Sequence, residues 1–284
     1  MTAISLTTIG KPVIPLFFES DSLSWENFQY ANIHICLDYD GTLTPIVNDP
    51  TVAYLPEDIR EAVGELAGRY PVSIVTGRGR QCISEFLGEQ LISKVSLAAS
   101  HGFDIHLQNG EYHHMGENND MRDFELFKQD LRNWITNFPR GCAIEENKYS
   151  VTLHYRNVNV NEVPLAERLL DELLLGYKNL VKREGKMVFE VRLGLDWNKG
   201  KAVEWILNRT NMDPKNCFVI YLGDDITDED AFRTLRNKYP FHLSLIVAAD
   251  GSLDRPTSAD FRLRDQTEVL KFLLKLIEAR KKHC

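Results

Sequence analysis

Two short stretches of this 284-residue chain crowd carboxylates beside glycine: Asp38-Tyr39-Asp40-Gly41-Thr42 and Gly223-Asp224-Asp225. Two others, Thr76-Gly77-Arg78 and Lys199-Gly200, add a hydroxyl and an ammonium. If the four meet, Asp38, Asp40, Asp224 and Asp225 repel one another unless a cation sits among them. Mg²⁺ suits such a set, because it takes one or two carboxylates together with water and phosphate oxygens. A carboxylate beside it can attack phosphorus and form an aspartyl-phosphate. A second carboxylate two residues on can protonate the leaving oxygen and later take a proton from water. Thr76 and Lys199 would then hold and neutralise the transferring group.

Competing uses of these residues fail on spacing. A calcium loop starting at Asp38 has its glycine at position four instead of six and Asp49 instead of glutamate at position twelve. Gly77-Arg78-Gly79 is followed by Cys82 where a dinucleotide fingerprint needs glycine, and no P-loop pattern occurs.

The elements that must carry these residues follow from periodicity. Apolar runs at 33–37, 72–75 and 95–99 read as buried strands, with helices expected at 56–66 and 79–87. The pattern changes after Gly102. Phe103, Ile105 and Leu107 alternate with polar residues up to Asn109-Gly110, a strong hairpin signal. Helices at 121–135 and 164–175 and strands at 142–146, 150–156, 180–183 and 187–192 make the middle block α+β. The parallel pattern resumes with helices at 199–208 and 228–236, strands at 217–222 and 243–248, and a closing helix around 269–277. We expect an α/β protein: a Rossmann-like doubly wound parallel core over 31–105 and 196–284, carrying an inserted α+β cap over 106–195. Residues 1–30 form an N-terminal arm. In such sheets ligands sit beyond the carboxyl ends of the strands, where the polar stretches fall.

Composition narrows the partners. With 41 acidic against 33 basic residues the net charge is −8, which disfavours nucleic acid and anionic membrane surfaces. No apolar run is long enough to span a bilayer, and the N-terminus lacks a signal-peptide pattern. Five scattered cysteines without a CxxC pair point to a reducing compartment, and a cytoplasmic protein is expected.

In order, Asp38-Tyr39-Asp40-Gly41-Thr42-Leu43, Thr76-Gly77-Arg78, Lys199 and Gly223-Asp224-Asp225 resemble the four motifs of the haloacid dehalogenase superfamily of phosphotransferases. Ser100-His101-Gly102, Glu145-Glu146-Asn147-Lys148-Tyr149-Ser150, His154-Tyr155-Arg156, Lys186-Met187-Val188-Phe189-Glu190-Val191-Arg192 and Asp224-Asp225-Ile226-Thr227-Asp228 extend the resemblance to the trehalose-phosphatase family. That resemblance implies Asp38 as nucleophile, Asp40 as acid and base, and Thr76 and Lys199 as phosphate ligands. It implies Mg²⁺ on Asp38, the Asp40 carbonyl and Asp224, with Asp225 and Asp228 close by. Gly41, Thr42, Gly77 and Arg78, within the same motifs, are expected to touch substrate. No synthase-like domain precedes these motifs, so a stand-alone enzyme is expected, with a trehalose 6-phosphate synthase as a candidate partner.

Substrate choice is expected from the cap, because the core motifs serve many phosphates. Lys186, Val188, Glu190 and Arg192 share one strand face, and Met187, Phe189 and Val191 the other. Glu146 and Lys148 share a side just before a strand. Carboxylates and ammoniums of this kind read sugar hydroxyls as acceptors and donors. With Arg156 they form the expected sugar-phosphate site. The implied reaction is hydrolysis of trehalose 6-phosphate, with sucrose 6-phosphate or mannosyl-phosphoglycerate as alternative substrates and an inactive sugar-phosphate sensor as the non-enzymatic alternative.

Overall fold

The computed structural model describes residues 14–20, 32–47, 49–115, 119–185 and 187–281. Its main sheet grows around β1 (Ile33–Leu37), every residue of which is buried. Such continuous apolar strands fit a parallel sheet covered on both faces. β1 pairs in parallel with β2 (Val72–Val75) on one side and β10 (Phe218–Gly223) on the other. Beyond β2 lies β3 (Ser96–Ala99), and beyond β10 lie β11 (His242–Val247) and β12 (Phe261–Leu263), all parallel.

Helices cover the two faces. α1 (Glu57–Ala67), α2 (Arg80–Ile92) and α7 (Gln266–Lys281) pack on the face that carries Ile33, Ile35 and Leu37. On the face of Cys36, Val219 and Tyr221 lie α5 (Lys199–Arg209) and α6 (Asp228–Lys238). The chain therefore leaves β1 for one face and β10 for the other. Their carboxyl ends part around a crevice, the usual ligand position of a doubly wound sheet.

The hairpin is the first departure from expectation. β4 (Asp104–His106) pairs antiparallel with β3, and β5 (Tyr112–His114) pairs with β4, so the hairpin extends the core sheet to eight strands. Ser100 and His101, both with positive φ, turn the chain straight back along β3, and Ile105 and Leu107 bury in the core. The change of pattern after Gly102 thus marks antiparallel pairing within one sheet, and the passage to the second sheet comes beyond Met115, not at residue 106.

The second sheet has the order β6 (Ala143–Glu146), β7 (Ser150–His154), β9 (Val188–Leu193), β8 (Leu180–Gly185), entirely antiparallel. α3 (Asn119–Trp134) and α4 (Val163–Leu174) cover one face through Phe124, Phe127, Ala166 and Leu170, packed on Val151, Leu153, Phe189 and Val191. Its other face carries Thr152, Glu190 and Arg192, partly exposed.

Three further differences have local causes. α2 continues to Ile92 because the chain resumes a helical turn after Gly88, whose φ of 72° interrupts it and reads in sequence as a stop. β12 is three residues long with Arg262 at its centre, too short to show a period. Residues 14–20 of the arm pack on the core: Phe17 is buried edge-on against Phe261 and Phe272, at 5.7 and 5.1 Å between ring centroids. The rest of the arm lies outside the described residues.

Candidate active site

Asp38 is the first residue beyond β1, and its backbone N–H donates to Leu222 O at 2.9 Å, which fixes it beside the end of β10. Its carboxylate is buried and takes a hydrogen bond from Lys199 Nζ at 2.7 Å. Lys199 opens α5, whose start is capped by the Asn198 side chain accepting from Lys201 N at 2.9 Å. The same Nζ donates to Asp228 Oδ1 at 2.8 Å. Asp228 in turn accepts from the Tyr221 hydroxyl at 2.6 Å on Oδ1 and from the N–H groups of Asp224 and Asp225 at 3.0 and 3.1 Å on Oδ2. Four donors saturate this carboxylate, so Asp228 organises the strand tip and the lysine instead of binding a ligand.

The loop after β1 is held from β2. Arg78 clamps Asp40 through two parallel hydrogen bonds, Nε to Oδ2 at 2.7 Å and Nη2 to Oδ1 at 2.6 Å, and its guanidinium lies 4.7 Å from the Phe86 ring centroid. Gly41 must be glycine: its φ is 82° and a Cβ would stand 2.0 Å from Asp224 Oδ2. Thr42 is buried with a hydroxyl that has no hydrogen-bond partner. Thr76 is also buried at the tip of β2, and its hydroxyl accepts from Arg78 N at 3.2 Å. Gly77 makes room for His101, whose ring atoms would be 2.8 Å from a Cβ there.

The charges oppose one another strongly. Burial drives the Asp38 carboxyl well above its usual range; Lys199 pulls it back, and Asp228 and Asp224 push it further up. Burial, Asp228 and Asp225 raise Asp224 to about 7. Burial also acts upward on Asp225, but Lys199 and hydrogen bonds from Thr227 carry it below the ordinary value. Burial opposes the Lys199 charge, and Asp228 and Asp38 override it. His101 is kept neutral, pushed down to about 3 by burial and by the cations Lys199 and Arg192.

Carboxylate oxygens of Asp38, Asp224 and Asp228 lie within 4.8 Å of one another. With Asp228 saturated, Asp38 and Asp224 remain as two hard oxygen donors, both raised by burial and by the Asp228 charge. The residues therefore fit a hard divalent cation at the mouth of the crevice.

Between the two sheets lie adjoining cavities of about 400 and 590 Å³ that share Gly79, Cys82 and Asn147 in their walls. The smaller brings Asp40, Gly77, Arg78 and His101 opposite Glu145, Thr152 and Glu190 of the second sheet. Glu145, Thr152 and Glu190 are register neighbours across three strands and so form one row facing the core. Glu146, one residue on, points the other way and meets Arg132 of α3 at 3.1 Å; it lines the larger cavity with Lys148. Arg192 stands on the face of Glu190 and acts electrostatically on His101. Arg156 is exposed beyond β7 and lines neither cavity. Lys186 lies outside the described residues. His101, Glu145 and Asn147 fall in the quoted motifs without a role that the sequence assigns them, and Thr152 lies between two of those motifs. The rule that strand ends carry ligands points to His101, two residues past β3.

The trehalose-phosphatase family model matches residues 36–267 of the chain. Trehalose-phosphate phosphatase B of Arabidopsis thaliana is 32% identical over 256 residues, covering 87% of this chain and 66% of the relative. Probable trehalose-phosphate phosphatase E of the same plant is 34% identical over 261 residues, covering 87% and 71%. The chain thus spans about two thirds of the length of these plant relatives. Among solved structures, the trehalose-6-phosphate phosphatase of Aspergillus fumigatus superposes with a TM-score of 0.64 at 26% identity, covering 90% of this chain and 96% of that one. On a match that runs through every motif of the crevice and most of the chain, this protein belongs to the trehalose-phosphatase family.

Proposed function

We propose that the protein is a Mg²⁺-dependent phosphatase that hydrolyses trehalose 6-phosphate to trehalose and inorganic phosphate through an aspartyl-phosphate on Asp38. The observation that carries this reading is the buried Asp38 held on Lys199 at 2.7 Å, at a crevice roofed by the row Glu145, Thr152 and Glu190. Mg²⁺ bound by Asp38, the Asp40 carbonyl and Asp224 supplies charge neutralisation for the phosphoryl oxygens.

The residues divide the work. The Asp38 carboxylate attacks phosphorus, and the bond from phosphorus to the sugar oxygen breaks. Asp40 gives that oxygen its proton, then takes one from the water that attacks the aspartyl-phosphate and releases phosphate. Thr76 and Lys199 hold the phosphoryl oxygens, with Thr42 and Gly77 at the edge of the site. An arriving phosphate competes with Asp40 for Arg78, because a guanidinium fork suits either partner. Losing the clamp frees Asp40 for proton transfer.

The inserted block acts as a cap that closes on the crevice and excludes water from the aspartyl-phosphate. Its glutamates accept from sugar hydroxyls, and Lys148 and Arg192 donate to them. A synthase that makes trehalose 6-phosphate is the partner this reading suggests. No helix among the described residues is long and apolar enough to cross a membrane. Free Cys36, Cys82, Cys142 and Cys217 support the cytoplasm as the compartment.

Phosphate release from trehalose 6-phosphate, sucrose 6-phosphate, mannosyl-phosphoglycerate and glucose 6-phosphate, with and without Mg²⁺, tests the reading. Turnover is expected on trehalose 6-phosphate alone and only with the metal. Comparable rates on glucose 6-phosphate would overturn the substrate assignment.

A further inference from the structure

Away from the crevice, the hairpin brings Asp104, His106 and His114 together. Asp104 and His114 are direct partners across β4 and β5, and His106 lies two residues along the same face of β4. Asp104 Oδ1 is 3.1 Å from His106 Nε2 and 3.0 Å from His114 Nδ1. The Asp104 side chain is 4% exposed, yet Oδ1 has no hydrogen-bond partner. A buried carboxylate oxygen in that state is costly unless something else meets it.

The partners of the imidazoles sharpen the point. His106 Nε2 lies 3.0 Å from Arg80 Nη1, and a guanidinium only donates, so the tautomer with a bare Nε2 is the one that accepts from Arg80. In that tautomer the Asp104 oxygen and the His106 nitrogen are two acceptors facing each other at 3.1 Å. His114 Nδ1 is bonded to the Tyr149 hydroxyl at 3.1 Å. Burial and the Arg80 charge both hold His106 toward its neutral form, the form that binds metals.

We propose that Asp104, His106 and His114 form a second, separate metal site, for a borderline transition-metal dication such as Zn²⁺. Ligand atoms at about 2.1 Å from a tetrahedral ion are about 3.4 Å apart, close to the 3.0 and 3.1 Å found here. Two imidazoles and one carboxylate are the donors that select zinc over magnesium. Arg80, 49% exposed, swings out to make way, and Tyr149 yields the His114 lone pair. Asp104 also lines the 590 Å³ cavity, whose wall includes Glu146 and Lys148. A bound ion fastens the hairpin and changes the charge of that wall.

Full-length protein saturated with Mg²⁺, which fills the crevice, is titrated with Co²⁺ as the spectroscopic stand-in for zinc. One equivalent is expected to give the intense visible absorption of four-coordinate Co²⁺, and Zn²⁺ is expected to displace it. His106→Gln and His114→Gln lose the band, while Arg80→Gln, which removes the competing cation, tightens Co²⁺ binding at least several-fold. Circular dichroism checks that each variant folds. No band at one equivalent, or a band that persists in both histidine variants, overturns the proposal. Weaker binding in Arg80→Gln does so too, because this variant leaves all three ligands in place.

Discussion

Asp228 is the residue on which Lys199, Tyr221 and the tip of β10 converge, and Asp228→Asn tests that role. The carboxylate meets two donors on each oxygen, at 2.6 and 2.8 Å on one and 3.0 and 3.1 Å on the other. An amide offers one accepting oxygen. With that oxygen on the Asp224 and Asp225 N–H groups, the NH₂ faces the Lys199 ammonium; reversed, it faces both backbone donors. Either way two donors lose their acceptor and one buried ion pair disappears. Breaking a buried pair costs about 3–5 kcal/mol. Lys199 keeps Asp38, which places the expected loss near the lower end, about 3 kcal/mol. That is a large part of a domain's roughly 5–15 kcal/mol but leaves it folded. Urea unfolding followed by circular dichroism should show a lower midpoint with unchanged slope, and kcat/KM should fall at least about tenfold as Lys199 leaves its position. A loss below about 1 kcal/mol with unaltered kinetics would mean that Asp228 does not hold Lys199 and the strand tip.

Other outcomes follow from single contacts. Glu190→Gln keeps shape but loses the charge facing the cleft, and kcat/KM on trehalose 6-phosphate should fall about 10–100-fold; an unchanged value removes Glu190 from the sugar site. Phe17→Ala empties the aromatic contact with Phe261 and Phe272 and should cost about 3–5 kcal/mol in urea melts; a cost under 1 kcal/mol would mean that residues 14–20 only drape the core. Buried His34, bonded to Ser73 at 2.8 Å, is pushed down to about 4 by burial. The unfolded chain takes up this proton near 6.5 and the folded one near 4. Its contribution is therefore complete above pH 6.5 and declines toward pH 4, by about 3 kcal/mol in all. The stability difference between wild type and His34→Gln should shrink over that window; a difference independent of pH would contradict it.

The core was readable because its strands announce themselves. Apolar runs stop at Asp38, Thr76 and Asp224, and the structure brings all three ends to one crevice, as parallel pairing of β1 with β2 and β10 requires. What sequence could not show is pairing at a distance. The clamp of Arg78 on Asp40 joins residues 38 apart, and nothing in either motif announces it. Four donors on Asp228 are equally invisible, since two of them are backbone groups. In the second sheet the faces of Phe189 and Val191 against Glu190 and Arg192 followed from alternation. In sequence the spacing of Glu146 to Lys148 suggests a shared side and gives Glu145 no mark of its own, whereas register with Thr152 and Glu190 turns Glu145 toward the core. The junction after Met115 was hidden because an antiparallel hairpin looks the same in sequence whether it extends one sheet or starts another.

In the proposed reaction Asp38 carries the phosphoryl group. Rapid quenching of wild-type protein turning over phosphate-labelled trehalose 6-phosphate with Mg²⁺, followed by peptide mapping, tests it directly. Label is expected on the peptide containing Asp38, sensitive to hydroxylamine, and Asp38→Asn should fold, bind no label and release no phosphate. Label on a different peptide, or phosphate release sustained by Asp38→Asn, would contradict the assignment.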